Sequence, residues 1–460
     1  MKKLSTLLFF FFLVGIASAQ NGVWQTQNPN YPPDDNLFGL LVSIVNENVA
    51  WTAAEAGDCS VAPWAFGLTQ NDFARTTNGG QTWTSGTYPT SGVSITTDLF
   101  ALDSNVAWLT VIDFVEGNKL LKTTDGGQTW IPQNINVTVY IDFVYFFGSG
   151  VGVVVGDPDS LGFEIFWTAV GGASWQRVDP ATLPPILPGE FTFPFHAVEG
   201  SNVWFVTQYG RVFHSPSKGA TWEVWPAPNV PLAGFPDYIA CHDNTCLVSF
   251  GDYSDTITHI NKFQLFRTSN KGVTWEDITP ADNNNNYALT GMQFVPNTGT
   301  LIGAFTHHNV NGPFETRISH DDGTTWQPID EGTKVLTLFF YDSTTGYGTH
   351  LNNTGGPTEI YRYVGPPLIS GLFERHPLDA TISASPNPTT GIVRVHVQGE
   401  IPDDYMLTVS DALGRVIHRK MIDNQSSFEQ TIDLSGVPAG VYWVSLSNGV
   451  GSTCAKVVKQ

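Results

Sequence analysis

The stretch KTTDGGQTW, residues 122–130, is a polar turn closed by a large aromatic residue, and with variation the chain writes it six times. The other copies are RTTNGGQTW from 75, WTAVGGASW from 167, HSPSKGATW from 214, RTSNKGVTW from 267 and ISHDDGTTW from 318. Counting from the hydroxyl residue, Thr123 in the first copy, the fifth place is always Gly (80, 127, 172, 219, 272, 323), as a tight hairpin with positive φ requires. Places one and seven are Ser or Thr, whose hydroxyls bond nearby backbone. Place eight is Trp, able to bury ~150–250 Å². Place three varies: Asp125 and Asp321, Asn78 and Asn270, Val170, Ser217. A catalytic carboxylate is not exchangeable for Val, so the repeat reads as a structural staple. Its anchors are Asn78, Trp83, Asp125, Trp130, Trp175, Trp222, Asn270, Trp275, Asp321 and Trp326.

The six Trp residues are 47, 45, 47, 53 and 51 residues apart, a spacing in the propeller range. Between them recurs a second hairpin, as in VNENVAWTAA at 45 and LDSNVAWLTV at 102, of which there are seven copies. Short strands rich in Val, Phe, Trp and Thr without helical period predict an all-β array. Seven first hairpins and six Trp-ended ones leave one unit short of a strand. Val23-Trp24-Gln25 resembles the segment after each box, so Trp24 is the expected closure residue, pairing the first strand into the last blade and removing two free edges. The expectation is a seven-bladed β-propeller over residues 20–364.

The repeats resemble the BNR or Asp-box pattern of sialidases, sortilin-type receptors, xyloglucanase-like glycosidases and the photosystem II assembly factor family. That resemblance implies the fold, while the families' activities differ. After Val364 the texture changes. Residues 365–380 read as a linker, and alternating Ile392, Val393, Val395 and Val397 predict a small Ig-like β-sandwich over 381–460. Pro386-Asn387-Pro388 with Gly391, Asp411 to Arg415, Asp433-Leu434-Ser435 with Gly440-Val441-Tyr442, and Lys456 to Lys459 resemble the C-terminal sorting domain of the type IX secretion system. This implies handling by that machinery, passage through the periplasm and across the outer membrane, and frequent cleavage, with the passenger released or held on surface lipopolysaccharide.

The N-terminus agrees: Lys2 and Lys3, an apolar run from Leu7 to Ile16 and Ala17-Ser18-Ala19 predict a signal peptide over 1–19. No later run is long enough to span a bilayer, so no transmembrane segment is expected in the mature chain. Losing two lysines takes the formal charge from −21 to −23, which disfavours nucleic acid. Cys241 and Cys246 flank HDNT, a turn between strands, and are the disulfide candidates; without a second ligand pair, zinc is not expected there.

If the box joins the third and fourth strands, the loops between second and third strands lie on the opposite face, where propellers generally bind ligands. Those loops carry Glu55, Asp58, Asp113, Glu116, Asp157, Asp159, Asp252 and Asp255, with Trp64 and Arg211 beside them. These are the ligand-binding candidates, with no catalytic or metal-binding residue assigned. No cofactor is expected, although converging acids are the chemistry of a Ca²⁺ site. Sialidases clamp their substrate with three arginines, but Arg75, Arg267 and Arg362 all occupy the strand position before a box or its degenerate equivalent, where Lys122, His214 and Trp167 also stand. Position explains them better than substrate. The leading expectation is a secreted or cell-surface binding module for a glycan or extracellular protein. The alternatives are a glycoside hydrolase using two carboxylates of that rim and an extracellular assembly factor.

Overall fold

The computed structural model describes residues 23–31, 37–57, 66–67, 71–92, 94–229, 235–252, 262–280, 287–307, 314–350, 359–369, 376–377, 380–399, 405–411, 416–422, 427–447 and 451–460. The signal peptide lies outside them. Among these residues, Trp24 to Tyr363 form seven antiparallel sheets, each with a four-strand path. The first strands are Leu37–Ile44, Ser94–Ala101, Ile141–Phe146, Thr192–Glu199, Phe235–His242, Tyr287–Phe294 and Val335–Phe340, and we number blades 1 to 7 by them. Each touches the first strand of the next blade, and the seventh touches the first, so the contacts run in a closed cycle about an axis.

Every one of these inner strands slips register against its partner, between Thr96 and Asp98 in blade 2 and between Ile141 and Phe143 in blade 3, for example. A bulge adds local right-handed twist and bends the strand, and here it recurs where seven sheets crowd one axis. The blades pack through apolar layers. Trp51, Trp108 and Trp204, on the second strands of blades 1, 2 and 4, are at most 1% exposed.

The ring closes through the N-terminal strand Trp24–Gln27, which pairs antiparallel with Ile360–Tyr363 as the outermost strand of blade 7. Trp24 is buried, its ring edge-on to Phe340 and Tyr363 at 6.0 and 5.5 Å, and its indole N–H bonds Thr316 Oγ1 of blade 6 at 2.9 Å. Cys241 and Cys246 face each other across the first hairpin of blade 5 and form a disulfide. Cys454 is a free exposed thiol.

The stretch read as a linker starts packed: Leu368 is buried with the blade 7 core, and its N–H bonds Ser343 O at 2.8 Å. His376–Pro377, in the same stretch, pairs in parallel with Gly451 and Ser452. The C-terminal module has a five-stranded and a three-stranded sheet. They share a core that includes Val393, Val395, Leu407, Val409, Val444 and Val457.

Candidate functional site

The box joins the third and fourth strands of blades 1 to 6, and its bonds explain its letters. The place-one hydroxyl accepts the N–H of the place-five glycine in all six copies, at 2.8–3.2 Å. Where place three is Asp, Asn or Ser, its side-chain oxygen accepts the place-seven N–H, for instance Thr129 N–H to Asp125 Oδ1 at 2.9 Å. Bonds from the Thr129 hydroxyl and N–H hold the Asp125 carboxyl down, to about 2. Although partial burial pulls Asp321 upward, bonds from Thr325 and Ser319 keep it below its ordinary value.

Sequence reasoning missed place four, which is also left-handed in every copy. Gly79, Gly126 and Gly171 stand there at φ 64–76°, and Lys218, Lys271 and Asp322 at φ 52–58°. In five of the six copies, all but Gly172, the glycine of place five has a second duty, because a Cβ there would strike the preceding blade. Gly127 would meet Phe73, Gly219 would meet Val153 and Gly323 would meet Leu247.

The cations before the boxes, and Arg362 at the equivalent place in blade 7, are cross-blade ties. Arg362 of blade 7 donates to Gly79 O of blade 1, Arg75 of blade 1 to Ser104 O of blade 2, and Lys122 of blade 2 to Gly171 O of blade 3 at 2.9 Å. Arg267 of blade 5 reaches Asp321 O and Asp322 O of blade 6 at 3.0 and 3.2 Å. His242 joins the same seam through Asp322 Oδ1 at 3.2 Å. Burial would lower its pKa, but Asp243 and Asp322 outweigh that and raise it to about 10. These side chains are spent on the scaffold, and a substrate clamp is not built from them.

On the opposite rim, Glu55 and Asp252 sit on strands without a described side chain, and Asp58, Trp64 and Asp255 lie outside the described residues. The remaining candidates each have a local partner. Asp113 is buried, accepts Ser91 Oγ and N–H and the N–H groups of Val115 and Glu116, and pairs with Lys119 at 2.8 Å. Burial works against ionisation there, yet Lys119 and Ser91 hold the carboxyl far below the usual range. Glu116 is exposed and shares Lys119 at 2.6 Å. Asp159 grips Arg177 through both oxygens at 2.8 and 2.9 Å, which lowers it to about 2. Arg211 forms a two-point pair with buried Glu190 at 2.9 Å.

Asp157 differs. It is 6% exposed, accepts Thr192 N–H of blade 4 at 2.8 Å, and burial raises its pKa to about 6 despite that bond. Asp142, the bulge residue beside it, is 4% exposed and is raised well above the carboxylate range by burial and by Asp157. Buried Glu164, also unforeseen, accepts Thr138 N–H and Oγ1 and Val139 N–H at 2.6–2.9 Å. Among the described residues no group of three potential ligands could hold a metal ion.

In the C-terminal module the landmark motifs meet at its last strand, Gly451–Lys459. Asn387 accepts Val458 N–H at 2.9 Å and donates to Lys456 O at 2.6 Å. Lys459 is 9% exposed and caps Ser435 O at 3.1 Å and Val437 O. A Cβ on Gly391 would strike Ser435 Oγ. Motifs far apart in sequence thus tie down one end of the sandwich.

Residues 383–460 match the family described as the secretion system C-terminal sorting domain, and residues 82–230 match the photosynthesis system II assembly factor YCF48 family. Residues 82–230 thus match a BNR-type propeller family, and residues 383–460 are a type IX sorting domain. That domain marks the protein for export to the cell surface or for secretion. No helix among the described residues is long and apolar enough to cross a membrane. No curated protein matches the sequence.

Among solved structures, YCF48 bound to D1 peptide is 15% identical, with a TM-score of 0.50 over 75% of this propeller-bearing chain and 97% of that one. YCF48 from Cyanidioschyzon merolae is also 15% identical, with a TM-score of 0.51 over 74% and 98%. An ancestral GH74 enzyme is 13% identical, with a TM-score of 0.49 over 94% and 63%. At such identities the likeness concerns the fold.

Proposed function

We propose that this exported propeller is a non-enzymatic binding module that presents a face to a glycan or an extracellular protein. The observation that carries the reading is the state of the described rim acids. Asp113 and Asp159 are tied into their own loops, Asp157 and neighbouring Asp142 are at most 6% exposed, and Glu116 is exposed but shares Lys119 with Asp113. Glycoside hydrolysis needs two carboxyls flanking the bond, about 5–5.5 Å or 6.5–9.5 Å apart, with substrate access to both. Tied or buried acids do not offer that.

The test pairs two assays on the mature chain: binding to immobilised glycans and outer-membrane proteins, and release of reducing ends from polysaccharides. Binding without turnover is expected. Turnover abolished by neutralising two rim acids would replace this reading with the hydrolase. The family match over residues 82–230 favours a second reading, an assembly factor, which would return one stoichiometric protein partner in pull-down.

A further inference from the structure

Between the outermost strand of blade 7 and the box of blade 1 lies a cleft of about 650 Å³. That volume is within the roughly 300–1,000 Å³ of small-molecule sites, which are mostly apolar. This one is not. Five lining side chains are primary amides, Gln25, Gln27, Asn28, Asn30 and Gln81, and no carboxylate lines it. In a chain with 42 acids against 21 bases, an acid-free cleft stands apart.

Three amides are already engaged. Gln27 accepts the Trp83 indole N–H at 3.2 Å and donates to Gly79 O at 3.4 Å, Asn30 donates to Trp83 O at 3.0 Å, and Asn28 Oδ1 accepts Asn30 N–H at 2.7 Å. Gln25 and Gln81 are exposed, and their side chains bond nothing among the described residues. Arg362 gives Nη1 to Gly79 O, while its buried Nε–H has no acceptor among the described residues. The wall therefore offers amide donors and acceptors together.

We propose that this cleft binds a neutral oligosaccharide, which rests on the binding-module reading above. A sugar hydroxyl both donates and accepts, and a primary amide presents a donor and an acceptor in one plane. A cation would need carboxylates, and the chain's charge repels a polyanion. A peptide gains from pockets for apolar side chains. Trp83, the aromatic in this wall, is 5% exposed and packed edge-on to Tyr347 at 5.8 Å, so it offers none.

The experiment is calorimetric titration of the mature full chain with cellohexaose, laminarihexaose, maltohexaose and mannohexaose, beside an array of extended peptides. The Gln25→Ala/Gln81→Ala double variant and a control variant at exposed Glu331, Glu331→Gln, are titrated in parallel. At least one hexaose is expected to bind, with affinity reduced about tenfold or more in the double variant, unchanged in Glu331→Gln, and with equal melting for all three proteins. Equal hexaose affinity in the double variant overturns the cleft and leaves the binding module standing. Peptide binding with no hexaose bound does the same. No binding of either kind overturns both.

Discussion

The two ends of each blade are built from the same strands and obey different rules. At the box end, one pattern of hydroxyl, left-handed pair and Trp recurs in six blades, its first hydroxyl bonding within the turn while neighbouring cations reach the next blade. At the opposite end each loop has its own solution: Asp113 with Lys119, Asp159 with Arg177, Arg211 with Glu190. Repetition marks duties that every blade shares. Recognition has to come from what the blades do not share, yet variability is not sufficient, since the described variable acids are largely consumed in holding their own loops.

The contrast is broken most severely at an anchor. Trp130 packs against Trp51, Phe73 and Tyr88 of blade 1 at 5.4–6.2 Å, so Trp130→Ala is expected to cost about 3–5 kcal/mol in a urea titration. A loss under about 1 kcal/mol would mean that the box does not hold the seam.

The rim is sharpened by two acids that titrate in opposite senses. Asp157 binds its proton more tightly folded than unfolded, so its contribution to stability is present below about pH 4 and lost as pH rises through about 6. That loss is worth roughly 1–3 kcal/mol. Asp157→Asn keeps an acceptor for Thr192 N–H and should flatten this part of the pH–stability curve. Asp159 has the opposite sign: its pairing with Arg177 stabilises above about pH 4 and is lost as pH falls toward 2. A curve unchanged by Asp157→Asn would show that this carboxyl is solvated. The smallest effect belongs to exposed Glu116, where Glu116→Gln should shift stability by less than about 0.5 kcal/mol in thermal melts.

How far these features can be read from sequence depends on whether a position tolerates only one residue type. Gly80 and its equivalents are visible because positive φ and the approach of the previous blade both exclude a side chain. Place four is hidden because Lys218, Lys271 and Asp322 also adopt the left-handed conformation, so glycine is optional and the letter drifts. Arg75, Arg267 and Arg362 are legible as positional, but their carbonyl acceptors are supplied by another blade 29 to 283 residues away. The rim acids are visible as acids. Their neutralisation is not, because Arg177 and Glu190 contact their partners only once the sheets form. The amide cleft has no charge signature and joins residues 25–30 to 79–83, which no local pattern connects.

The most direct test of the ring as one scaffold is hydrogen–deuterium exchange of the Trp24→Ala chain, read at the inner strand Thr192–Glu199 of blade 4, distant from the closure. If closure through Trp24 stabilises all blades cooperatively, protection there should fall together with protection at Ile360–Tyr363. Exchange that rises only at Ile360–Tyr363, with blade 4 as protected as before, would contradict it.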